Sequence, residues 1–153
     1  MEFFQTIPWP TGLPGLFLLS FLAATILPIG SEWLLILLLM QGLSPSNVVL
    51  TASLGNFLGA CTTYLLGRWG ANSLLRHLLR IDLQQLLRAK SLYARYGIWS
   101  LLLTWLPIVG DPLCLLAGLL RLDFRTFSLL VFVGKFSRYA TLAFLTLKGL
   151  GDR

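Results

Sequence analysis

Four long apolar segments make up most of the chain, and short polar stretches separate them. Residues 47–67 and 126–150 are uninterrupted runs, whereas residues 13–40 and 97–120 each contain proline and glycine near the middle. A simple transmembrane helix needs about 20 apolar residues. The uninterrupted runs therefore predict one membrane-crossing helix each, and the broken runs predict pairs of half-helices joined by a turn.

The two breaks repeat one motif at an offset of 79 positions. Residues 27–32 read LPIGSE and residues 106–111 read LPIVGD, and the alignment continues without a gap. An acid beside helix breakers, repeated in two hydrophobic segments, is typical of an internally duplicated transporter whose site lies near the bilayer midplane. We therefore expect two repeats within a single membrane domain, residues 13–67 and 97–150.

A basic connector joins the two repeats. Residues 68–96 carry six Lys or Arg residues, and Asp82 is their one acid. Leucines recur at helical spacing along this segment, which makes it amphipathic. A basic amphipathic helix beside membrane spans is typical of the cytoplasmic membrane surface, so we expect the connector to lie there.

The charge pattern allows two membrane topologies. If each broken segment is a re-entrant hairpin, the repeats are inverted, both termini lie outside, and residues 121–125 share the cytoplasmic side with the connector. If each broken segment crosses fully, there are four spans and both termini lie inside. The distribution of Lys and Arg fits either topology, but the length of residues 13–40 and the matching breaks favour hairpins. The expected fold is an all-α membrane protein of two inverted repeats, each a re-entrant helical hairpin plus one transmembrane helix.

Composition indicates an integral membrane protein and argues against nucleic acid as a partner. Of the 153 residues, 56% are hydrophobic and 12% are charged, against about 25% charged in a soluble domain. The net charge of +6 comes from basic residues beside apolar segments, which indicates anionic headgroups and topology control. Cys61 and Cys114 are expected to pack as small apolar residues. Because His77 is the single histidine, no metal or cofactor is predicted.

The apolar segments contain four ionisable residues: Glu32, Asp111, Lys135 and Arg138. A charge at the bilayer centre costs about 2.5–3.5 kcal/mol on insertion scales. Two acids and two bases sum to zero, so we expect them to face a shared interior and to pair. Lys135 and Arg138 are three positions apart on one helical face, and the repeat offset places Asn56 opposite Lys135.

Two interpretations of these residues stay open. In one, the acids and bases only pair with each other and cap half-helices. In the other, the N-termini of two half-helices and the two cations hold a phosphate, while the desolvated acids take up protons. Intramembrane ionisable groups are functional by default, which favours the second. The predicted substrate or ion site consists of Glu32, Asp111, Lys135, Arg138, Asn56 and Ser31.

Several motifs resemble the DedA family, also called the VTT or SNARE-associated Golgi protein family. They are the break at residues 28–32, residues 55–59 (GNFLG), residues 64–68 (YLLGR) and residues 134–136 (GKF), in agreeing order and spacing. The closest likeness is to the short bacterial YqaA-type branch. The resemblance covers about residues 13–150.

This resemblance implies a fold and a function. It implies two re-entrant hairpins that face each other from opposite sides of the membrane. It also implies translocation of phospholipids or recycling of polyprenyl-phosphate carriers, in some members linked to the proton motive force. Glu32 matches the acid of the family's first hairpin. Thr104 and Gly110 stand where many members have arginines, so the basic role is assigned to Lys135 and Arg138.

We expect a small multi-pass protein of the bacterial inner membrane that moves anionic, phosphate-bearing lipids. Its partners would be lipid headgroups or polyprenyl phosphate, with protons as a coupling ion and a second copy of the chain to enclose the path. No enzymatic activity is predicted, because Ser31, Ser137 and Cys114 have no histidine base or metal cluster in the membrane. The alternatives are a small ion or osmolyte transporter and a non-catalytic assembly or stress factor.

Overall fold

A computed structural model describes residues 12–25, 30–69, 83–106 and 109–151, which form helices and the turns between them. The elements in chain order are α1 (Leu13–Ala23), α2 (Glu32–Met40), α3 (Pro45–Arg68), α4 (Leu83–Tyr96), a 3-10 helix (Gly97–Trp105), α5 (Gly110–Leu119) and α6 (Phe124–Gly151). The predicted helical class is confirmed. Each broken apolar run is divided between two short helices. Parts of the two motifs and of the connector lie outside the described residues, namely residues 27–29, 70–82 and 107–108, which include Pro28, His77, Asp82 and Pro107.

Two helices in the described part of the chain are long and apolar enough to cross a membrane. α3 has 24 residues and α6 has 28, or about 36 and 42 Å at 1.5 Å per residue, and the hydrocarbon core is about 30 Å thick. α1, α2 and α5 have 11, 9 and 10 residues. None of these three short helices can cross a bilayer alone.

The helices preserve the repeat offset. α3 begins at Pro45 and α6 begins at Phe124, 79 positions later, and α2 begins at Glu32 while α5 has Asp111 in its first turn. The element that departs from the repeat is the nine-residue 3-10 helix, which stands where the first repeat has the end of α1. Such helices seldom exceed three or four residues, and the apolar composition of this segment does not distinguish it from an α-helix.

The two long helices lie antiparallel against each other. Near the end of α3, the Tyr64 ring stacks on Phe127 near the start of α6, with ring centroids 4.4 Å apart. Earlier in α3, Asn56 hydrogen-bonds to Lys135 and Tyr139, which come later in α6. The start of α6 and the end of α3 are therefore at the same end of the helix pair.

Glycines bring the short helices close to the long ones. Gly55 and Gly59 of α3 lie against the carbonyl groups of Phe17 and Phe21, so α1 runs parallel to α3. Glycines four positions apart share one helix face, which allows this close approach. α5 packs on α3 in the same manner, with Gly118 against the backbone of α3, and α2 packs on α6. Each of α2 and α5 thus contacts the long helix of the other repeat.

α4 has the amphipathic pattern that the sequence predicts for the second half of the connector. Ala89, Leu92 and Tyr93 pack in one cluster with Leu113 and Leu116 of α5. The three basic residues of α4 are exposed: Arg88, Lys90 and Arg95. The placement of this helix at the membrane surface stays a prediction.

We expect Gly118→Ala to lower the free energy of unfolding by about 1–3 kcal/mol, because the added methyl group would overlap the Tyr64 carbonyl and push α5 away from α3. Thermal unfolding of the purified protein in detergent measures the effect. Gly149→Ala is the matched control, since nothing lies within 4 Å of a Cβ at that position. Equal melting temperatures for the two variants would contradict this close packing.

Candidate functional site

An ion pair links the start of α2 to the middle of α6. The Arg138 guanidinium pairs with the Glu32 carboxylate, and their side chains are 20% and 24% exposed. Gly30 lies directly beside this carboxylate, where a Cβ would overlap it. The glycine therefore leaves the space that Glu32 occupies. Arg138 also lies over the ring of Tyr139, 5.9 Å from its centroid, within the range of a cation–π contact.

A cavity of about 540 Å³ opens beside this ion pair, between the 3-10 helix, the start of α2 and one face of α6. Its walls are mostly apolar, with a polar strip from α6 next to the two charges. The lining residues are Glu32, Leu102, Trp105, Val133, Gly134, Ser137, Arg138, Thr141 and Leu142. This combination offers a charged anchor within an apolar surface.

A second cation lies deeper, on the same helix. Lys135 is 4% exposed, and a lysine is almost never so buried without a partner. Its ammonium group donates a hydrogen bond to the side-chain carbonyl of Asn56 and lies 3.9 Å from Oδ1 of Asp111. That second distance is an electrostatic contact, too long for a hydrogen bond. An ammonium group has three N–H donors, so Lys135 keeps donor capacity beyond the Asn56 bond.

Tyr139 joins the two charged pairs. Its hydroxyl group accepts a hydrogen bond from the Asn56 amide at 3.1 Å and shares another with the Ser31 hydroxyl at 2.7 Å. The tyrosine is 1% exposed. Tyrosines at apolar segments commonly lie at the membrane interface, but Tyr139 is enclosed between helices. Tyr139 is four residues after Lys135, so the two lie on one helical face. This spacing is the sequence signal that places Tyr139 beside the buried lysine.

The structure brings all six residues of the predicted site into one contiguous network. Asp111, Lys135, Asn56, Tyr139 and Ser31 follow one another through direct contacts. Glu32 and Arg138 adjoin the end of this series through their chain neighbours Ser31 and Tyr139. Whether these residues bind a substrate stays a prediction.

No side-chain hydrogen bond from the described residues caps the start of α2 or of α5. Ser31 occupies the N-cap position of α2, but its hydroxyl group bonds to Tyr139 and not to the helix. Asp111 lies in the first turn of α5, after Val109 as the N-cap residue. Both side chains therefore point their polar groups into the network between helices.

The polar strip of the cavity was not predicted from the sequence. It comes from Gly134, Ser137, Arg138 and Thr141 of α6, which follow the spacing i, i+3, i+4, i+7 of one helical face. Trp105 of the 3-10 helix also lines the cavity. Trp33 and Trp99 are 57% and 66% exposed on the surface.

No three His, Cys, Asp or Glu side chains come together as metal ligands would in residues 12–25, 30–69, 83–106 and 109–151. Cys61 and Cys114 are buried free thiols in an apolar cluster with Ala60, Tyr64 and Phe127. Their predicted role as small packing residues is confirmed. The residues of the site contact one another through charge pairing and hydrogen bonding.

Comparison with known proteins identifies the family. The family model of the VTT domain matches residues 14–147 of the chain. The chain belongs to the VTT-domain family. The DedA resemblance seen in the sequence is thereby confirmed.

Relatives of this VTT-domain protein are similar over nearly their full length. Inner membrane protein YqaA of Escherichia coli strain K12 and its namesake in Shigella flexneri are each 41% identical to it over 137 residues, which cover 89% of this chain and 92% of each relative. An uncharacterized protein of Haemophilus influenzae is 41% identical across 95% of this chain and 94% of its own length. No solved structure matches the chain. The VTT-domain protein is accordingly a protein of the bacterial inner membrane.

We expect Tyr139→Phe in this VTT-domain protein to lower the free energy of unfolding by about 1–3 kcal/mol. The ring would still fill its site, but Ser31 and the Asn56 amide would each lose a buried hydrogen-bond partner. Thermal unfolding in detergent measures the loss. Tyr96→Phe is the control at an exposed tyrosine, 49% accessible, where no change is expected. Equal melting temperatures for the two variants would contradict the role of Tyr139 as a hydrogen-bond bridge between Ser31 and Asn56.

Proposed function

We propose that this VTT-domain protein moves anionic, phosphate-bearing lipids across the bacterial inner membrane. The observation that carries the proposal is the Glu32–Arg138 ion pair at the wall of a largely apolar cavity of about 540 Å³. Ligand cavities commonly measure about 300–1,000 Å³, so a lipid headgroup fits while its acyl chains remain in the membrane. The walls suit an amphiphile, because charge and apolar surface lie side by side.

Exchange of partners at Arg138 gives the proposal a physical mechanism. A guanidinium group binds a phosphate as well as a carboxylate, in both cases through paired N–H donors. Protonation of Glu32 would weaken its hold on Arg138 and free those donors for the phosphate. Return of the proton to the aqueous phase would restore the ion pair and release the lipid. Proton coupling enters the cycle at Glu32 in this way.

Lys135 and Asp111 form a second charged pair along the proposed path. The ammonium group keeps donor capacity after its bond to Asn56, and Asp111 is one-third exposed. A phosphate could therefore contact Lys135 in a conformation where the helices separate. Ser31 is hydrogen-bonded to Tyr139, and Tyr139 to Asn56. A movement of the Glu32–Arg138 pair would therefore also displace the Lys135–Asp111 pair.

The contacts of the helices support re-entrant hairpins in inverted repeats as the membrane arrangement. Both repeats have the same order of elements, and their long helices α3 and α6 are antiparallel. The end of α3 meets the start of α6 through Tyr64, so residues 68 and 122 belong on one membrane side. Four full spans would place them on opposite sides. Inverted repeats bring both half-helix N-termini toward the bilayer midplane.

Labelling of the two chain termini tests this arrangement. With single cysteines added at each terminus of a Cys61→Ala, Cys114→Ala background, a membrane-impermeant thiol reagent should modify both in spheroplasts, because inverted hairpins leave both termini outside. A cysteine in place of Arg88, in the basic connector, is the internal control and should require membrane lysis. Protection of both termini in intact spheroplasts would support four full spans and contradict the hairpins.

A lipid translocation assay tests the function. The protein is reconstituted in liposomes with a headgroup-labelled anionic phospholipid, and an impermeant quencher measures its arrival in the outer leaflet. We expect Arg138→Gln to reduce the rate about tenfold or more, since hydrogen bonds to a charged group are worth about 1.5–3 kcal/mol and the variant loses those to the phosphate. Glu32→Gln should reduce the rate similarly, because a neutral side chain cannot restore the ion pair that releases the lipid. Lys148→Gln removes one exposed charge at the far end of α6 and should leave the rate unchanged.

Translocation by the unmodified protein no faster than in protein-free vesicles would remove the proposal, as would undiminished rates in both site variants. Proton-driven uptake of a small ion or osmolyte, without lipid movement, would support that alternative transporter. Release of inorganic phosphate from lipid phosphates would indicate an enzyme. Chemical cross-linking in the same liposomes tests the proposed homo-oligomer.

A further inference from the structure

The two repeats end their second short helices with the same turn. After α2, the amide of Leu43 bonds to the carbonyl of Leu38 at 3.2 Å, and that of Gly42 bonds to Leu39 at 3.0 Å. This pair of bonds is the Schellman motif, in which the residue after the helix adopts a left-handed conformation and is usually glycine. Gly42 fits that rule, with φ 85°.

The equivalent position in the second repeat, 79 residues later, is Arg121. The amides of Leu122 and Arg121 bond to the carbonyls of Ala117 and Gly118, both at 3.0 Å, so the turn is the same. Arg121 has φ 52°, a conformation that residues with a Cβ adopt at a cost. In the first repeat, the equivalent residue Gly42 adopts the same turn without that cost, because glycine has no Cβ. The arginine side chain therefore has a use that the turn itself does not explain.

A second arginine is held next to this turn. Arg68, at the end of α3, donates a hydrogen bond from Nη1 to the Tyr64 hydroxyl at 3.0 Å, and that hydroxyl bonds to the carbonyl of Leu122. The α3 and α5 backbones also meet here, where Gly118 lies against the backbone of Tyr64 and Arg68. The Arg68 guanidinium is thus anchored beside the residue that follows Arg121. Both arginine side chains are exposed.

The charge balance of this corner favours an anion. Arg125 is exposed in the first turn of α6, which makes three cations with Arg68 and Arg121. The nearby acid is Asp123, whose Oδ2 accepts hydrogen bonds from the backbone N–H and hydroxyl of Thr126, each at 3.1 Å. These bonds lower the pKa of the Asp123 carboxyl. They hold the carboxylate at the first turn of α6, where it caps the helix. Among the described residues, one guanidinium hydrogen bond is formed at this corner, from Nη1 of Arg68 to the Tyr64 hydroxyl, and Arg125 interacts electrostatically with Asp123. A guanidinium group has five N–H donors.

The corner lies where both span-length helices reach the membrane surface, since α3 ends at Arg68 and α6 begins at Phe124. Trp69 and Phe124 are 75% and 43% exposed beside the arginines, and aromatic side chains favour the headgroup region. We propose that Arg68 and Arg121, with Arg125, form a binding site for the phosphate of an anionic lipid headgroup. This site is separate from the cavity at Arg138, and it stands whether or not the protein translocates lipids.

Lipid binding by the purified protein tests the site. The protein in neutral detergent is titrated with phosphatidylglycerol or phosphatidylcholine, and bound lipid is counted by native mass spectrometry. Phosphatidylglycerol is expected to bind at least about fivefold more tightly, the contribution of roughly one arginine near a charged surface. Arg121→Gly and Arg68→Gln should each lose that preference. Arg121→Gly should not lower the melting temperature, because glycine suits the turn better.

Two variants and a competitor separate a built site from general surface charge. Arg121→Lys keeps the charge but loses the paired N–H donors, so its phosphatidylglycerol affinity should fall to a value between those of the unmodified protein and Arg121→Gly. Lys148→Gln removes a charge elsewhere and should bind as the unmodified protein does. Equal losses in Lys148→Gln and Arg121→Gly, or no loss in either, would overturn the site. Displacement of the lipid by an equal concentration of inorganic phosphate would overturn its assignment to a lipid headgroup.

Discussion

Burial of the Lys135 ammonium group is the constraint on which the rest of the structure depends. A cation in the middle of a helix of span length is costly unless a partner meets it, and the partners here come from two other helices. Asn56 supplies the hydrogen-bond acceptor from α3, and Asp111 supplies the opposite charge from α5. The register between the two long helices is thereby set, because a shift of one turn in either would leave the ammonium group unpaired. Tyr139, one turn along, adds α2 to the same junction through Ser31.

The offset of 79 positions between the two similar motifs also relates residues on the two sides of this asymmetric site. Asn56 and Lys135 are equivalent positions of the two repeats, and they bond to each other. Equivalent residues touch where two related halves meet, so this bond marks the contact line between the repeats. On either side of it the halves have diverged: Gly59 allows α1 to approach α3, while its counterpart Arg138 carries a charge at the cavity wall. One repeat supplies space and the other supplies cations.

The sequence was sufficient to predict the helical class, the breaks and the meeting of the ionisable residues, because each follows from a local rule or an energetic cost. It could not decide which acid pairs with which base. Lys135 and Arg138 share a helical face, so either could reach Glu32 or Asp111 until the packing of α2 on α6 is known. Tyr139 was missed because hydropathy does not distinguish a tyrosine buried between helices from one at the membrane interface. The 3-10 winding of residues 97–105 was missed for a similar reason, since its apolar composition is that of an α-helix.

The two charged pairs differ in burial, and this difference orders their roles in the proposed transport. Removing one partner from a buried pair costs about 3–5 kcal/mol, because the other charge is left without compensation. Lys135 is too enclosed to lose Asp111 and Asn56 without a movement of helices. Glu32 and Arg138 are about one-fifth exposed and face the cavity, so an incoming phosphate can replace the carboxylate as it leaves, and Arg138 is never left unpaired. In the proposed transport, partner exchange would therefore begin at Arg138, and the Lys135 junction would open only after the headgroup has entered.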